Sequence, residues 1–379
     1  MQRRGFYALL LGLLIVTPEL QAQHALRYAV APAPPHASLL IQIQDSIDAL
    51  MRRYGVPGLS VAIGASGALI WAEGFGYADV ENRVPMLPQT KLRVASVSKS
   101  LTSAALGLLV EQGKLDLDAP VQRYVPSFPE KRWPITTRQL AGHLAGIRHY
   151  RDQEFYSRKH YNSVLEALEV FKDDTLLFRP GTRYAYSSYG WNLISAVIEG
   201  AAGEPFLAFM RRYVFDPLGM HDTVAEHVDS LIFHRARFYV YRDSLLMNAP
   251  YVDNSVKWAG GGFLSTAPDL VRFGNGLLSG RLLKPETVHL LFTSQRTADG
   301  KETGYGLGWR TGEQWGRRFV WHTGGAVGGS SVLVLLPEEQ VVVALIANLQ
   351  GVRLAPLGFW IADQVARHVV EKTTAVTPN

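Results

Sequence analysis

From Ser38 the apolar residues fall at Leu39, Leu40, Ile43, Ile47, Leu50 and Met51, and the series stops at Gly55 and Pro57. That spacing keeps one face apolar through successive turns and predicts a helix. Leu59–Ile63 and Ala68–Ala72 are short apolar runs on either side of Ala65-Ser66-Gly67, which predicts a hairpin. Near the far end, Val332–Leu336 and Val341–Ala347 are apolar at nearly every position and joined by Pro337-Glu338-Glu339-Gln340. They predict two more strands, followed by an amphipathic helix from about Leu354 to Val370. The middle differs. Ser100–Glu111, Ser163–Phe171, Asn192–Ala202, Pro205–Tyr213 and Pro268–Leu278 carry helical patterns separated by Pro/Gly-rich connections. Strands at both ends and helices between them predict one sheet assembled from the two termini, with a helix-rich region inserted.

Composition narrows the class. The chain has 379 residues, 47% hydrophobic and 19% charged, which excludes intrinsic disorder. Residues 23–37 are Ala/Pro-rich and aperiodic, a flexible lead-in. No linker interrupts residues 38–379, so they read as one composite domain, with sheet regions at about 38–110 and 300–379 and a helical region at about 111–299. The net charge of +5 is spread along the chain with no basic stripe, so no nucleic-acid partner is expected. The absence of cysteine excludes disulfide scaffolds, thiol nucleophiles, Cys zinc sites and Fe–S clusters.

At the N-terminus, Arg3 and Arg4 precede the apolar stretch Phe6–Val16, with Ala22 beyond it. This order predicts a secretory signal peptide over residues 1–22, hence an exported, periplasmic or secreted protein without stable membrane insertion once the signal is cleaved. The large Leu20 at the −3 position keeps a second form open, one anchored by an uncleaved signal.

Several common sites are absent: no G-x-S-x-G elbow, no H-E-x-x-H helix and no phosphate loop. What remains is Ser96-Val97-Ser98-Lys99 at the opening of the helix with Leu101, Ala105, Leu108 and Leu109. Three residues is about one turn, so Ser96 and Lys99 share a face. A lysine held there can relay the hydroxyl proton. The alternative is an N-capping serine with a solvated lysine one turn on. Two further segments complete the set: Tyr186-Ser187-Ser188, just before the Asn192 helix, and His322-Thr323-Gly324-Gly325 after the strand-like Phe319-Val320-Trp321.

In that order the chain resembles the serine β-lactamase-like hydrolases of the penicillin-recognising superfamily, nearest the class C branch with its D-Ala peptidases and esterases. That branch has S-x-x-K, then Y-x-N, then K-T-G or H-x-G on its last catalytic strand. Gly76–Arg83, Gly146–Tyr150, Arg235–Tyr241, Tyr251–Asn254 and Trp258–Thr266 are similar to the serine β-lactamase-like proteins of animal mitochondria, and Gly304–Trp309 is a further stretch that resembles the superfamily. The resemblance runs over roughly residues 40–370. It implies an α/β (α+β) fold, an antiparallel sheet flanked by helices with an inserted all-helical region and the site between them. It further implies Ser96 as nucleophile, Lys99 as its activator and Tyr186 as general base and later acid. The backbone N–H groups of Ser96 and Gly325 would form the oxyanion hole, and Ser188, His322, Thr323 and Gly324 would contact substrate. No metal or organic cofactor is implied.

Two positions depart from the pattern. Ser188 stands where Asn is usual, with a shorter reach and no amide. His322 stands where a β-lactamase usually has Lys. Keeping a tyrosine as phenolate at neutral pH costs roughly 4 kcal/mol, about what one cation at 4 Å supplies at an effective dielectric near 20. His322, half-charged near its usual pKa of about 6.5, would add help that fades as pH rises, leaving Lys99 to carry more of the base role. Efficient β-lactam turnover is therefore not expected.

Other features read plainly. His143 is a structural hydrogen-bonder, Gly260-Gly261-Gly262 marks close backbone approach near the pocket, and Arg235–Arg242 is a half-solvated strand. Arg148, Arg151, Arg158 and Lys159 form a basic loop bordering the cleft, which would favour carboxylate-bearing substrates. The sequence thus predicts an exported serine hydrolase, acylated at Ser96, acting on a peptide or amide. A β-lactamase, D-Ala-type carboxypeptidase or esterase remains open, as does a non-catalytic binding or scaffold relative, and a homo-oligomer is compatible with all of these.

Overall fold

The computed structural model describes residues 27–30 and 37–375. The expected signal peptide, and the lead-in apart from residues 27–30 and Ala37, lie outside them. In chain order the strands are β1 (Arg27–Val30), β2 (Gly58–Ala65), β3 (Ala68–Asp79), β4 (Val84–Pro85), β5 (Leu92–Arg93), β6 (Val224–Ala225), β7 (Tyr239–Arg242), β8 (Leu245–Asn248), β9 (Phe263–Ser265), β10 (Arg310–Gln314), β11 (Arg317–Ala326), β12 (Gly329–Leu336) and β13 (Val341–Ala347). The main sheet has the order β1-β3-β2-β13-β12-β11-β10, antiparallel throughout, with β4 attached to β3. Strands from the two chain ends meet at the β2–β13 pair. Within the expected lead-in, Arg27–Val30 pairs with Phe75 to Ala72 of β3; main-chain pairing along a sheet edge needs no side-chain pattern, so the composition did not reveal it.

The helices are α1 (Ala37–Tyr54), α2 (Val97–Glu111), α3 (Thr137–Ala141), α4 (Val164–Leu168), α5 (Ser188–Ala202), α6 (Phe206–Phe209), α7 (Trp258–Gly261), α8 (Ala267–Leu278), α9 (Pro285–Phe292) and α10 (Ala355–Ala375). The central strands read as unbroken apolar runs because both faces are covered. Val341, Val343 and Leu345 join the core under α1 and α10, while Val342, Ala344 and Ile346 join the larger core under α2, α5 and α8. Gly274 lets α8 lie directly on Val342, whose methyls would meet any Cβ there. The inserted region is helix-rich and also carries the β7–β8 hairpin and the strands β6 and β9, which form a small sheet with β5 in the order β5-β9-β6. Of the expected Arg235–Arg242 strand, Tyr239–Arg242 is regular, and Arg235 bridges to Lys91.

Candidate active site

Residues 94–96 form a sharp passage from β5 into α2. Ala95 sits at φ +47°, a left-handed conformation costing a side-chain-bearing residue about 1–3 kcal/mol. Ser96 follows at the helix N-cap, yet its side chain makes no capping bond, so the bland reading as an N-capping serine fails. Its hydroxyl faces Lys99 instead: Lys99 Nζ lies 3.1 Å from Ser96 Oγ, 3.1 Å from Ser188 Oγ and 2.5 Å from the Gly260 carbonyl oxygen.

Lys99 is fully buried. Burial, reinforced by the charge of Arg310, holds its pKa well below that of a free lysine. A neutral amine has two N–H donors and one lone pair. Its three contacts fit that inventory, with Gly260 and Ser188 accepting and the lone pair left for the Ser96 proton.

Ser187 caps α5 by accepting from the Gly190 N–H at 2.9 Å, and its hydroxyl donates to the Arg148 carbonyl at 2.7 Å. This fixes Tyr186 just outside the helix, hydrogen-bonded to Ser96, and Ser188 in its first turn. Burial pushes the Tyr186 phenol up, although the Ser96 bond and Arg310 pull the other way. Tyr186 therefore rests as a phenol, poised to give a proton rather than take one. Its ring packs on His143, centroids 4.3 Å apart. His143 is buried at φ +60° and accepts the Ser187 N–H at 3.1 Å, the structural hydrogen-bonder expected.

The cleft itself is a cavity of about 70 Å³ walled in part by Ser96, Tyr186, Ser188, His149, Tyr150, Lys257, Gly260 and Gly325. Ser96, Tyr186, Ser188 and Gly325 are thus brought together, with Lys99 directly beneath. His322, Thr323 and Gly324 are not among the wall residues. Gly324 fits because Ser331 Oγ and the Val94 carbonyl occupy the space a Cβ would take, whereas a Cβ on Gly325 would meet nothing. Thr323 pairs with Val332, so its side chain shares the sheet face of Val332, which belongs to the core under α1 and α10. β10 pairs with β11 only as far as Trp321; along residues 322–326 no described strand covers that edge, and an extended chain can pair there.

The charge expected of His322 is not present. It is buried, Nε2 lies 2.8 Å from the Tyr305 hydroxyl, and Nδ1 lies 2.7 Å from the Thr323 carbonyl. A carbonyl only accepts, so Nδ1 carries a proton, and in the neutral ring Nε2 accepts from the Tyr305 hydroxyl. Burial holds its pKa well below the ordinary histidine value. Arg310, seated over the Tyr305 ring at 5.8 Å, is a cation that acts on Tyr186, and Lys99 Nζ lies 5.0 Å from the Tyr186 ring centroid. The β-strand of Arg310 is short and polar, and the sequence carries no signal of its proximity. Ser188, in place of the usual asparagine, is engaged by Lys99 and by Tyr150. His149 Nδ1 accepts the Ser188 N–H at 3.1 Å.

The basic loop does not present its charges to the cleft as expected. Arg148 is buried between Glu154 and Asp174, and Arg151 also reaches Asp174; Arg158 lines a separate groove. A buried ion pair lies closer to the reacting groups. Glu226 accepts from Arg93 Nε at 2.8 Å and from Asn254 Nδ2 at 2.5 Å, while Arg93 Nη1 donates to the Val327 carbonyl at 2.6 Å. It ties β5, three residues before Ser96, to the β11–β12 turn that follows Gly325.

The Beta-lactamase family model matches residues 43–366. The chain belongs to the Beta-lactamase family. The human serine beta-lactamase-like protein LACTB, mitochondrial, is 37% identical, over 87% of this chain and 81% of that protein. Protein flp of Staphylococcus aureus is 23% identical, over 88% of this chain and 68% of its own length. Among solved structures, a D-amino acid amidase from Ochrobactrum anthropi SV3 superposes with a TM-score of 0.73 at 26% identity, covering 90% of this chain and all of that one. A penicillin-binding protein homologue from Pyrococcus abyssi gives a TM-score of 0.76 at 24% identity, covering 86% and 77%. This family membership makes the chain a β-lactamase-fold serine hydrolase. It also bears out the α/β fold with antiparallel sheets that the sequence resemblance implied.

Proposed function

We propose that the protein is an amidase or peptidase that forms an acyl-enzyme at Ser96. The single observation that carries this reading is the desolvated contact of Lys99 with Ser96, in which a neutral amine has its lone pair free for the hydroxyl proton. Ser96 Oγ attacks the substrate carbonyl as its proton passes to Lys99 Nζ. The backbone N–H groups of Ser96 and Gly325 receive the developing oxyanion, a contribution of several kcal/mol. Tyr186 gives its proton to the departing nitrogen, and Lys99 returns the stored proton to Tyr186. Water then enters, the same groups act in reverse, and the acyl group leaves as an acid. Substrate backbone pairs along the open edge of β11, with Thr323 and Gly324 contributing main-chain groups and His322 buttressing through Tyr305.

The likeness to the D-amino acid amidase supports amide substrates. Ser188, already occupied by Lys99 and Tyr150, is poorly placed to hold a β-lactam side-chain amide, which favours an open-chain amide over a β-lactam. Export through the residue 1–22 signal is the localisation we infer from the sequence. The mitochondrial location in the name of the human relative belongs to that protein.

Intact mass after exposure to a fluorophosphonate tests the reading. One adduct on the wild type and none on Ser96→Ala is expected. A folded wild type that stays unmodified sinks it and favours a binding protein that has kept the fold.

A further inference from the structure

One buried cation has no part in the mechanism above. Lys257 sits in the 3-10 turn just ahead of α7, 5% exposed, and lines the same cavity as Ser96. Among the described residues it forms no ion pair, and its one hydrogen bond goes to the Phe155 carbonyl at 2.8 Å. The rest of its surroundings are aromatic: its Nζ lies 4.9 Å from the Phe155 ring centroid and 5.8 Å from that of Tyr150. Two carboxylates are near enough to act on it, but both are engaged elsewhere. Glu226 is held by Arg93 and Asn254, and Asp253 by His160 and the Ser255 N–H.

An ammonium out of water needs a counter-charge or several acceptors to offset its lost hydration. Lys257 has one carbonyl and two ring faces, and its side chain makes no other hydrogen bond among the described residues. Burial and the Arg93 charge bring its pKa to about 8, with Glu226 and Asp253 opposing, so most molecules keep the charge at neutral pH.

From this placement we propose that Lys257 is the specificity residue of the cleft, the counter-ion for a carboxylate of the substrate. The inference deepens the hydrolase reading and rests on it for the word substrate. The binding itself does not need turnover. Substrates are then amides that carry a free carboxylate within reach of the scissile bond. Tyr150 joins the two functions, because it shares a hydrogen bond with Ser188, the partner of Lys99, and carries Lys257 over its ring.

The test uses two matched probe pairs on Ser96→Ala protein, read by calorimetry. Succinyl-Ala-Ala-amide against its succinamoyl counterpart places the carboxylate on the acyl side. Acetyl-Ala-Ala against acetyl-Ala-Ala-amide places it on the leaving side. In one pair the carboxylate binds tighter by about tenfold to a hundredfold, the range of a charge-assisted hydrogen bond. Adding Lys257→Met brings that ratio to near one, and adding Lys257→Arg restores part of it. A structural role alone would weaken both members of a pair equally and leave the ratio unchanged. The proposal is overturned if neither carboxylate binds better than its amide, or if the preference survives Lys257→Met in protein whose circular dichroism is unchanged. Failure of fluorophosphonate labelling overturns the hydrolase reading alone, since these ratios are measured without acylation.

Discussion

Tyr305 Oη lies 2.8 Å from His322 Nε2, and with Nδ1–H turned to the Thr323 carbonyl and burial holding the pKa down, the neutral ring accepts the Tyr305 proton. A residue that the motif alone presents as a half-charged cation is instead a buttress behind Tyr186. Its folded pKa lies well below the ordinary value, so it stays neutral through the range in which a free histidine titrates, near 6.5. The pH profile of Ser96 labelling should therefore have the same shape in wild type and His322→Asn, even if the variant is slower throughout. An inflection near neutrality that disappears in the variant would show that His322 does charge.

Lys99 and Tyr186 are separable by leaving group. Lys99→Met should slow labelling and hydrolysis of all substrates by about 100- to 10,000-fold, the usual loss of a general base. Tyr186→Phe should lose a similar factor on an anilide, whose nitrogen must be protonated, but stay within about tenfold of wild type on a nitrophenyl ester. The opposite pattern, with Lys99→Met mild and Tyr186→Phe severe on both substrates, would return the base role to the tyrosine.

Lys99 also leaves a signature in stability. Its folded pKa is lowered from 10.5, so the unfolded chain binds the extra proton and folding must release it. The resulting penalty shrinks by about 1.4 kcal/mol for each pH unit between the folded value and 10.5. Urea unfolding of wild type and Lys99→Met over that window should show the wild type gaining on the variant as pH rises. Parallel curves would mean that Lys99 is charged in the folded protein.

The Arg93–Glu226 pair is buried and fully bonded. Replacing one partner, as in Glu226→Leu, strands the other charge and should cost about 3–5 kcal/mol in urea unfolding, whereas Arg93→Met with Glu226→Leu should cost less than either single change. Additive losses would show that the two charges do not depend on each other.

Gly324 has no room for a methyl group between Ser331 Oγ and the Val94 carbonyl. Gly324→Ala should destabilise by about 1–3 kcal/mol and slow labelling at Ser96, because the strain falls on the segment leading to Ala95. Unchanged stability would mean β11 and Val94 separate easily.

The sequence displayed some of this and hid the rest for physical reasons. The strands β2, β12 and β13 were legible because covered faces demand apolar residues at every position. The helix carrying Lys99 was legible from its spacing, and Ser96, Lys99 and Tyr186 from motif order. The Pro285–Phe292 helix and the polar β10 were not, since neither has a long apolar periodicity. The acceptor on Lys99 is the Gly260 carbonyl, 161 residues away, and main-chain atoms leave no mark in a motif. Lys257 was hidden among similar lysines because its distinction is the lack of a paired carboxylate, which only the folded arrangement reveals.

Strand β2 is made early in synthesis, but its partner β13 ends at Ala347. Until then the middle of the main sheet has no second half, and the Ser331 contact that braces the residues before Ser96 has not yet been made. Pairings this distant in the chain close slowly, so the growing polypeptide stays threadable, and without a formed cleft, until nearly all of it has emerged.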